Sequence, residues 1–176
     1  YLVYNSESWL ARMEGHLYER GFKRYLQSDG TVAILDARVL LAPISILKKY
    51  KFDETLIFGG EGRELAQRLT KGGIKLLYSQ KLLVKHVNRD TLKAVFHQKR
   101  IHGNGRGQFL LTQNKNVLEW IAYFSSEWYR HFISPFFLLL RFEIGLDNLI
   151  YTALTNTIFW GAAFEILLTR RTQRHI

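Results

Sequence analysis

The stretch KFDETLIFGGEGRELAQRLTKGGIKLLYSQKLLVKH, residues 51–86, decides how the rest of the chain is read. Gly59-Gly60 interrupts the backbone, and EGRELAQRLTKGG then places Leu65 and Leu69 at helical spacing with Gly72-Gly73 as the stop. This predicts a short amphipathic helix. Glu61 and Glu64 fall in its first turn, where the helix dipole favours acids. Glu64 also stands four residues before Arg68, the spacing of an ion pair on one helix face. The following IKLLYSQKLLVKHV gives two short apolar runs separated by Ser79-Gln80, as expected of strands packed beside that helix.

Upstream, residues 6–27 carry apolar positions at Trp9, Leu10, Met13, Leu17, Phe22, Tyr25 and Leu26, with Ser6 and Ser8 as caps, which predicts another helix. After the turn signal Ser28-Asp29-Gly30, TVAILDARVLLAP opens with β-branched residues. It is expected to form a short buried strand leading into a loop or a helix that ends before Pro43. The opening YLVYNSESWL has no initiating Met, no basic n-region and no apolar run of signal-peptide length, so it reads as the interior of a longer protein.

Downstream, a basic segment runs from Asn88 to Gly107. From Val117 the character changes: Trp120, Ile121, Tyr123, Phe124, Trp128 and Tyr129 precede the apolar stretches FISPFFLLLRF and LIYTALTNTIFWGAAFEILL. The second of these, from Leu149 to Leu168, has about the 20 residues a spanning helix needs. Asn156, Glu165 and several Thr would be costly in lipid, so a tilted or interfacial helix stands beside the spanning one. Arg170, Arg171 and Arg174 follow at once, as in segments that face anionic cytoplasmic headgroups. The boundary is expected at residues 112–115, giving regions 1–112 and 113–176.

The 176 residues, 47% hydrophobic and 14% aromatic, suffice for a core. The absence of cysteine excludes disulfides and thiolate metal sites, leaving oxygen and imidazole chemistry. A net charge of +10 points to an anionic partner: nucleic acid, an anionic lipid surface or a nucleotide sugar. Nucleic acid is not expected, since the basic residues are dispersed and the chain has no RNA-recognition signature, zinc-finger spacing or helix-turn-helix pattern.

Taken in order, Phe52-Asp53-Glu54, Gly60-Glu61, Glu64-Leu65, Arg68-Leu69 and His86 resemble the second half of the catalytic domain of family 2 glycosyltransferases. The resemblance implies an α/β architecture, the C-terminal half of a GT-A-like (Rossmann-like) domain, followed by amphipathic or transmembrane helices. It implies inverting transfer of a sugar from a nucleotide-sugar donor to a glycan or lipid-linked acceptor, at the cytoplasmic face of a membrane whose lipids the chain contacts. Such transfer needs a carboxylate to take the acceptor's proton. The family has Asp after its Glu as that base, and this chain has Gly62. The catalytic candidates are therefore Glu61 and Glu64, and the alternative is a degenerate, inactive, membrane-associated relative.

In the same resemblance His86 occupies the place of a histidine that helps to hold a divalent cation, Mg2+ or Mn2+. Without the family it would read as a strand-end histidine. FHQKRIHGNGRGQF resembles the arginine-rich stretch that follows, with Gln98, Arg100, Gly103 and Arg106 the nearest matches. Gly60, Arg100 and Arg106 are the substrate-binding candidates, the arginines as a clamp on the diphosphate; a solvated basic loop or a contact with lipid phosphates is the other reading. No Asp-x-Asp occurs in the chain, so the cation's main ligands and the donor pocket are expected from an N-terminal half of the enzyme.

Overall fold

The structure, a computed structural model, describes residues 2–23, 25–35, 39–56, 60–79, 81–82 and 84–173. It divides into two compact units, Tyr1–Ala94 and Val95–Ile176. The change of composition at residues 112–115 falls in a loop inside the second.

The expected α/β, Rossmann-like half is not what forms. The protein is 63% helix and 4% strand. Among the described residues the paired strands are β1 (Leu2–Val3) and β2 (Lys85–His86), parallel, with Leu2 opposite Lys85 and Val3 opposite His86. The β-branched run after Gly30 makes only single antiparallel bridges, Leu26 to Val32 and Thr31 to Leu77. Strand propensity is largely a preference for a pleated, half-buried surface. With no longer ladder to join among the described residues, the β-branched run gains little by extending further. Residues 36–38, 80 and 83 of the predicted strands lie outside the described residues.

In the first unit α1 (Trp9–Lys23) follows Ser8, whose hydroxyl accepts the Ala11 N–H at 3.4 Å. Pro43 precedes α2 (Ile44–Lys49) and opens it, in place of ending a helix, because proline's fixed φ suits a helix start and its missing N–H is not needed there. The predicted amphipathic helix is α3 (Glu61–Lys71). Leu65, Ala66 and Leu69 are buried on its inner face with Leu76, and Val32, Leu35, Ile46, Tyr50 and Ile74 pack around them. Its end is a complete Schellman turn: Gly73 N–H meets Thr70 O at 3.0 Å, Ile74 N–H meets Leu69 O at 3.0 Å, and Gly73 has φ +76°. Glycine is needed there because other residues are strained at positive φ.

The second unit is helical. The division between the units falls near the start of α4 (Leu92–Leu111), and α5 (Val117–Trp128), a π-helical turn at Tyr129–Ile133, α6 (Ser134–Leu140) and α7 (Leu146–Gln173) follow. Asn116 starts α5 with a capping box, its Oδ1 accepting Glu119 N–H at 3.0 Å while the Glu119 carboxylate accepts Asn116 N–H at 2.8 Å. Leu110, Trp160 and Ala163 form the core, surrounded by Phe109, Trp120, Tyr123, Phe124, Phe132, Phe159 and Leu167. Pro135 offers no N–H to the His131 carbonyl one turn back, and the Asn156 amide donates to that carbonyl instead, at 2.7 Å. A side chain that would be a liability in lipid is here a structural partner.

Among the described residues no helix is long and apolar enough to cross a membrane. This overturns the transmembrane form of the expected C-terminal helices. With 28 residues α7 has the length, but Asp147, Asn148, Thr152, Thr155, Asn156, Thr157 and Glu165 interrupt its apolar run, and Asn148, Thr152 and Thr155 are buried within the unit.

Candidate functional site

The candidates divide between the units. Gly60, Glu61, Glu64 and His86 belong to the first, Arg100 and Arg106 to the second. Gly60 is buried and caps α3, its carbonyl accepting Glu64 N–H at 3.0 Å. Glu61 is the first residue of α3 and half-buried, so its carboxylate sits at the positive end of the helix dipole.

Glu64 has a different job. Its carboxylate receives two bonds from Arg68, at 2.5 Å from Nε and 2.7 Å from Nη2, the bidentate fork that suits a guanidinium. Arg68 also donates to the Lys51 carbonyl at 2.6 Å, which ties α3 to the Phe-Asp-Glu turn. In that turn Asp53 accepts the Thr55 hydroxyl at 2.6 Å and the Thr55 N–H at 3.0 Å. The hydroxyl bond first, then the N–H and the nearby Arg68 charge, hold its carboxyl below the usual range. The order Phe-Asp-Glu, Glu-Leu, Arg-Leu thus corresponds to one local scaffold around Arg68.

His86 ends β2, and its Nδ1 faces Asn88 Oδ1 at 3.0 Å. The Asn88 amide donates to the Ala11 carbonyl at 2.8 Å, which turns its Oδ1 toward the ring. Asn88 is buried and exchanges a further pair of 2.9 Å bonds with Asn5. Among the described residues no group of three or more His, Asp or Glu side chains could hold a metal ion. His86 alone does not make a site for the expected cation.

The basic segment is the largest local difference. FHQKRIHGNGRGQF, expected as a clamp on the diphosphate or else as a solvated basic loop, lies inside α4. Glycine disfavours helix by about 1 kcal/mol per residue, which is why the segment reads as a loop. Packing decides otherwise. A Cβ on Gly103 would lie 2.9 Å from Ala162 Cβ and closer still to the Phe159 carbonyl oxygen, and one on Gly107 would lie 2.6 Å from the Ala163 carbonyl oxygen. The glycines admit the backbone of α7, four residues apart on one face of α4.

The arginines follow the same logic. Arg100 is exposed and pairs with Glu165 of α7 at 3.3 Å. Arg106 is buried: its guanidinium lies 3.6 Å from Glu127, donates to the Tyr123 hydroxyl and rests 5.7 Å from the Phe109 ring centroid. Glu127, itself buried, also meets Arg130 at 2.9 Å and His131 Nε2 at 3.4 Å. Burial pushes its carboxyl upward, but His131, Arg106 and Arg130 together outweigh that and hold it below the usual range. The sequence reading passed over Glu127. Its signal was an acid three and four residues before Arg130 and His131 in an otherwise aromatic run.

No protein-family model matches the chain, nor does any curated protein or solved structure with which it was compared.

Proposed function

We propose that the protein works on a membrane surface, held there by apolar faces of α5, α6 and α7, and that the segment around α3 serves sugar transfer from a nucleotide-sugar donor to a glycan or lipid-linked acceptor. The observation that carries the membrane part is apolar exposure: Leu118, Trp128, Phe142 and Leu146 are 77%, 60%, 95% and 61% exposed. Single exposed apolar side chains are ordinary. Here they keep helical spacing. Val117 and Ile121 share a face of α5, Phe136 and Leu140 a face of α6, and Leu146, Ile150 and Leu154 a face of α7, and all are exposed. Apolar faces that include aromatic side chains, on helices that do not span, suit the headgroup boundary. The chain's excess of basic residues favours an anionic leaflet, and Arg170, Arg171 and Arg174 favour the cytoplasmic one.

The chemical part rests on the ordered residues from Phe52 to His86. Glu61, which stands where the resembled pattern has its Gly-Glu pair, is the carboxylate assigned to receive the acceptor's proton as its oxygen attacks the anomeric carbon and the nucleotide diphosphate departs. In the enzyme supplied with its donor-binding half, Glu61→Gln is expected to slow sugar transfer about 100-fold, the scale of a lost general base. Glu64→Gln is expected to slow it far less and to cost α3 only about 0.5 kcal/mol through its partly exposed ion pair. Equal rates for the two variants would remove Glu61 from this role.

The degenerate, inactive alternative has one specific observation in its favour. A Cβ at Gly62 would stand 3.1 Å from the Leu35 carbonyl oxygen, so the position is shaped around glycine. Gly62→Asp discriminates. If the missing base is what limits the protein, the substitution raises transfer above wild type; if transfer is absent before and after it, the inactive reading holds.

A further inference from the structure

The turn between α6 and α7 ends in a residue that obeys none of the local rules. Phe142 N–H meets Leu139 O at 2.9 Å and Glu143 N–H meets Leu138 O at 2.9 Å, which is the Schellman pattern that also ends α3. In α3 its left-handed position is held by Gly73; here it is held by Phe142, at φ +57°. A bulky side chain is strained there, and glycine or asparagine is the usual occupant. The ring is also 95% exposed, more than any other large apolar side chain among the described residues. In water both features are unfavourable.

Both make sense if the ring leaves water. We propose that the α6–α7 turn is an insertion tip, with Phe142 entering the acyl boundary of an anionic bilayer and Leu140 and Leu146 following it to the headgroup level. This rests on the membrane reading above and names the element that does the work. Leu140 and Leu146 flank the tip and are 57% and 61% exposed, so the apolar surface continues from the ring onto both helices. Arg141 beside the ring is exposed and can meet a lipid phosphate while the phenyl group goes deeper. Glu143 on the other side faces water, which limits the depth to the ring and its immediate neighbours. The occupant is lipid and not a second copy of the chain because a protein partner would have to bury Arg141 and Glu143 as well, whereas a bilayer surface leaves both charges hydrated.

Two variants test this by co-sedimentation with vesicles of phosphatidylcholine plus phosphatidylserine, alongside thermal unfolding of each protein. Phe142→Gly relieves the backbone and is expected to unfold at the same temperature as wild type or higher, yet to bind vesicles about tenfold more weakly, the effect of losing one inserted aromatic side chain. Phe142→Asp is expected to weaken binding further. Wild-type binding with no change in either variant would overturn the insertion tip and leave the membrane reading standing. Failure of the wild type to bind vesicles of any charge, together with dimers in sedimentation that Phe142→Gly dissolves, would overturn both.

Discussion

Glu127→Ala is expected to cost the second unit roughly 3–5 kcal/mol, the penalty for leaving a buried ion without its partner. The physical case lies in the surroundings of Arg106, whose side chain is only 7% exposed. Arginine does not lose its proton in proteins, so without Glu127 the guanidinium would remain charged between Phe109 and Tyr123. The Phe109 and Tyr123 rings and the Tyr123 hydroxyl carry no negative charge to take the place of Glu127. Arg130 and His131 are more exposed and can turn to solvent, so Arg130→Ala should cost much less, on the scale of a surface pair. Chemical denaturation of the two variants measures the difference, and equal losses would mean that the buried pair is not what holds α4 to α5.

The same group sets an acid limit. The folded carboxyl of Glu127 titrates below its unfolded value, so the stabilisation is complete above the unfolded value and is lost as pH falls through the folded one. Wild type should therefore lose second-unit stability on acidification below the ordinary glutamate range. In Glu127→Gln that part of the slope should vanish, at the cost of a lower plateau near neutrality.

How much of this was legible in the sequence depended on whether a signal was local. The helix at α3 was readable because its acids, its Leu65 and Leu69 face and its Gly72-Gly73 stop all lie within 13 residues and agree. Glu64 and Arg68 were readable as a pair for the same reason. The strands were not, because a strand is completed by a partner elsewhere in the chain, and Thr31 and Leu77 found only one bridge. The resemblance to a transferase half carried an architecture that spacing alone never contained, and 63% helix corrects it. In the candidate site, Arg106 looked like a phosphate ligand because an arginine among glycines has that meaning in a loop. In a helix packed against α7 it has another: the glycines are contact points and the arginine answers Glu127, 21 positions away.

That change of meaning makes Gly103 the sharpest test of the second unit. General helix propensity says that Gly→Ala within a helix should stabilise by about 1 kcal/mol, by reducing the freedom of the unfolded chain. At Gly103 contact opposes this. The added methyl would stand 3.0 Å from the Phe159 carbonyl carbon and 2.9 Å from Ala162 Cβ, and the nearest obstacle is backbone, which cannot rotate away as a side chain would. Helix α7 would have to move off α4, loosening the packing around Leu110, Trp160 and Ala163. Overpacking of this kind costs about 1–3 kcal/mol, enough to overcome the propensity gain, so Gly103→Ala should destabilise and Gly103→Val should do so more strongly. Gly161 supplies the opposite case on the partner helix: it is exposed, and a Cβ there would meet nothing within 4 Å. Gly161→Ala should follow propensity and stabilise by about 0.5–1 kcal/mol. Thermal unfolding of the two alanine variants should thus move in opposite directions from wild type. Stabilisation by both would mean that α4 does not approach α7 through its glycines.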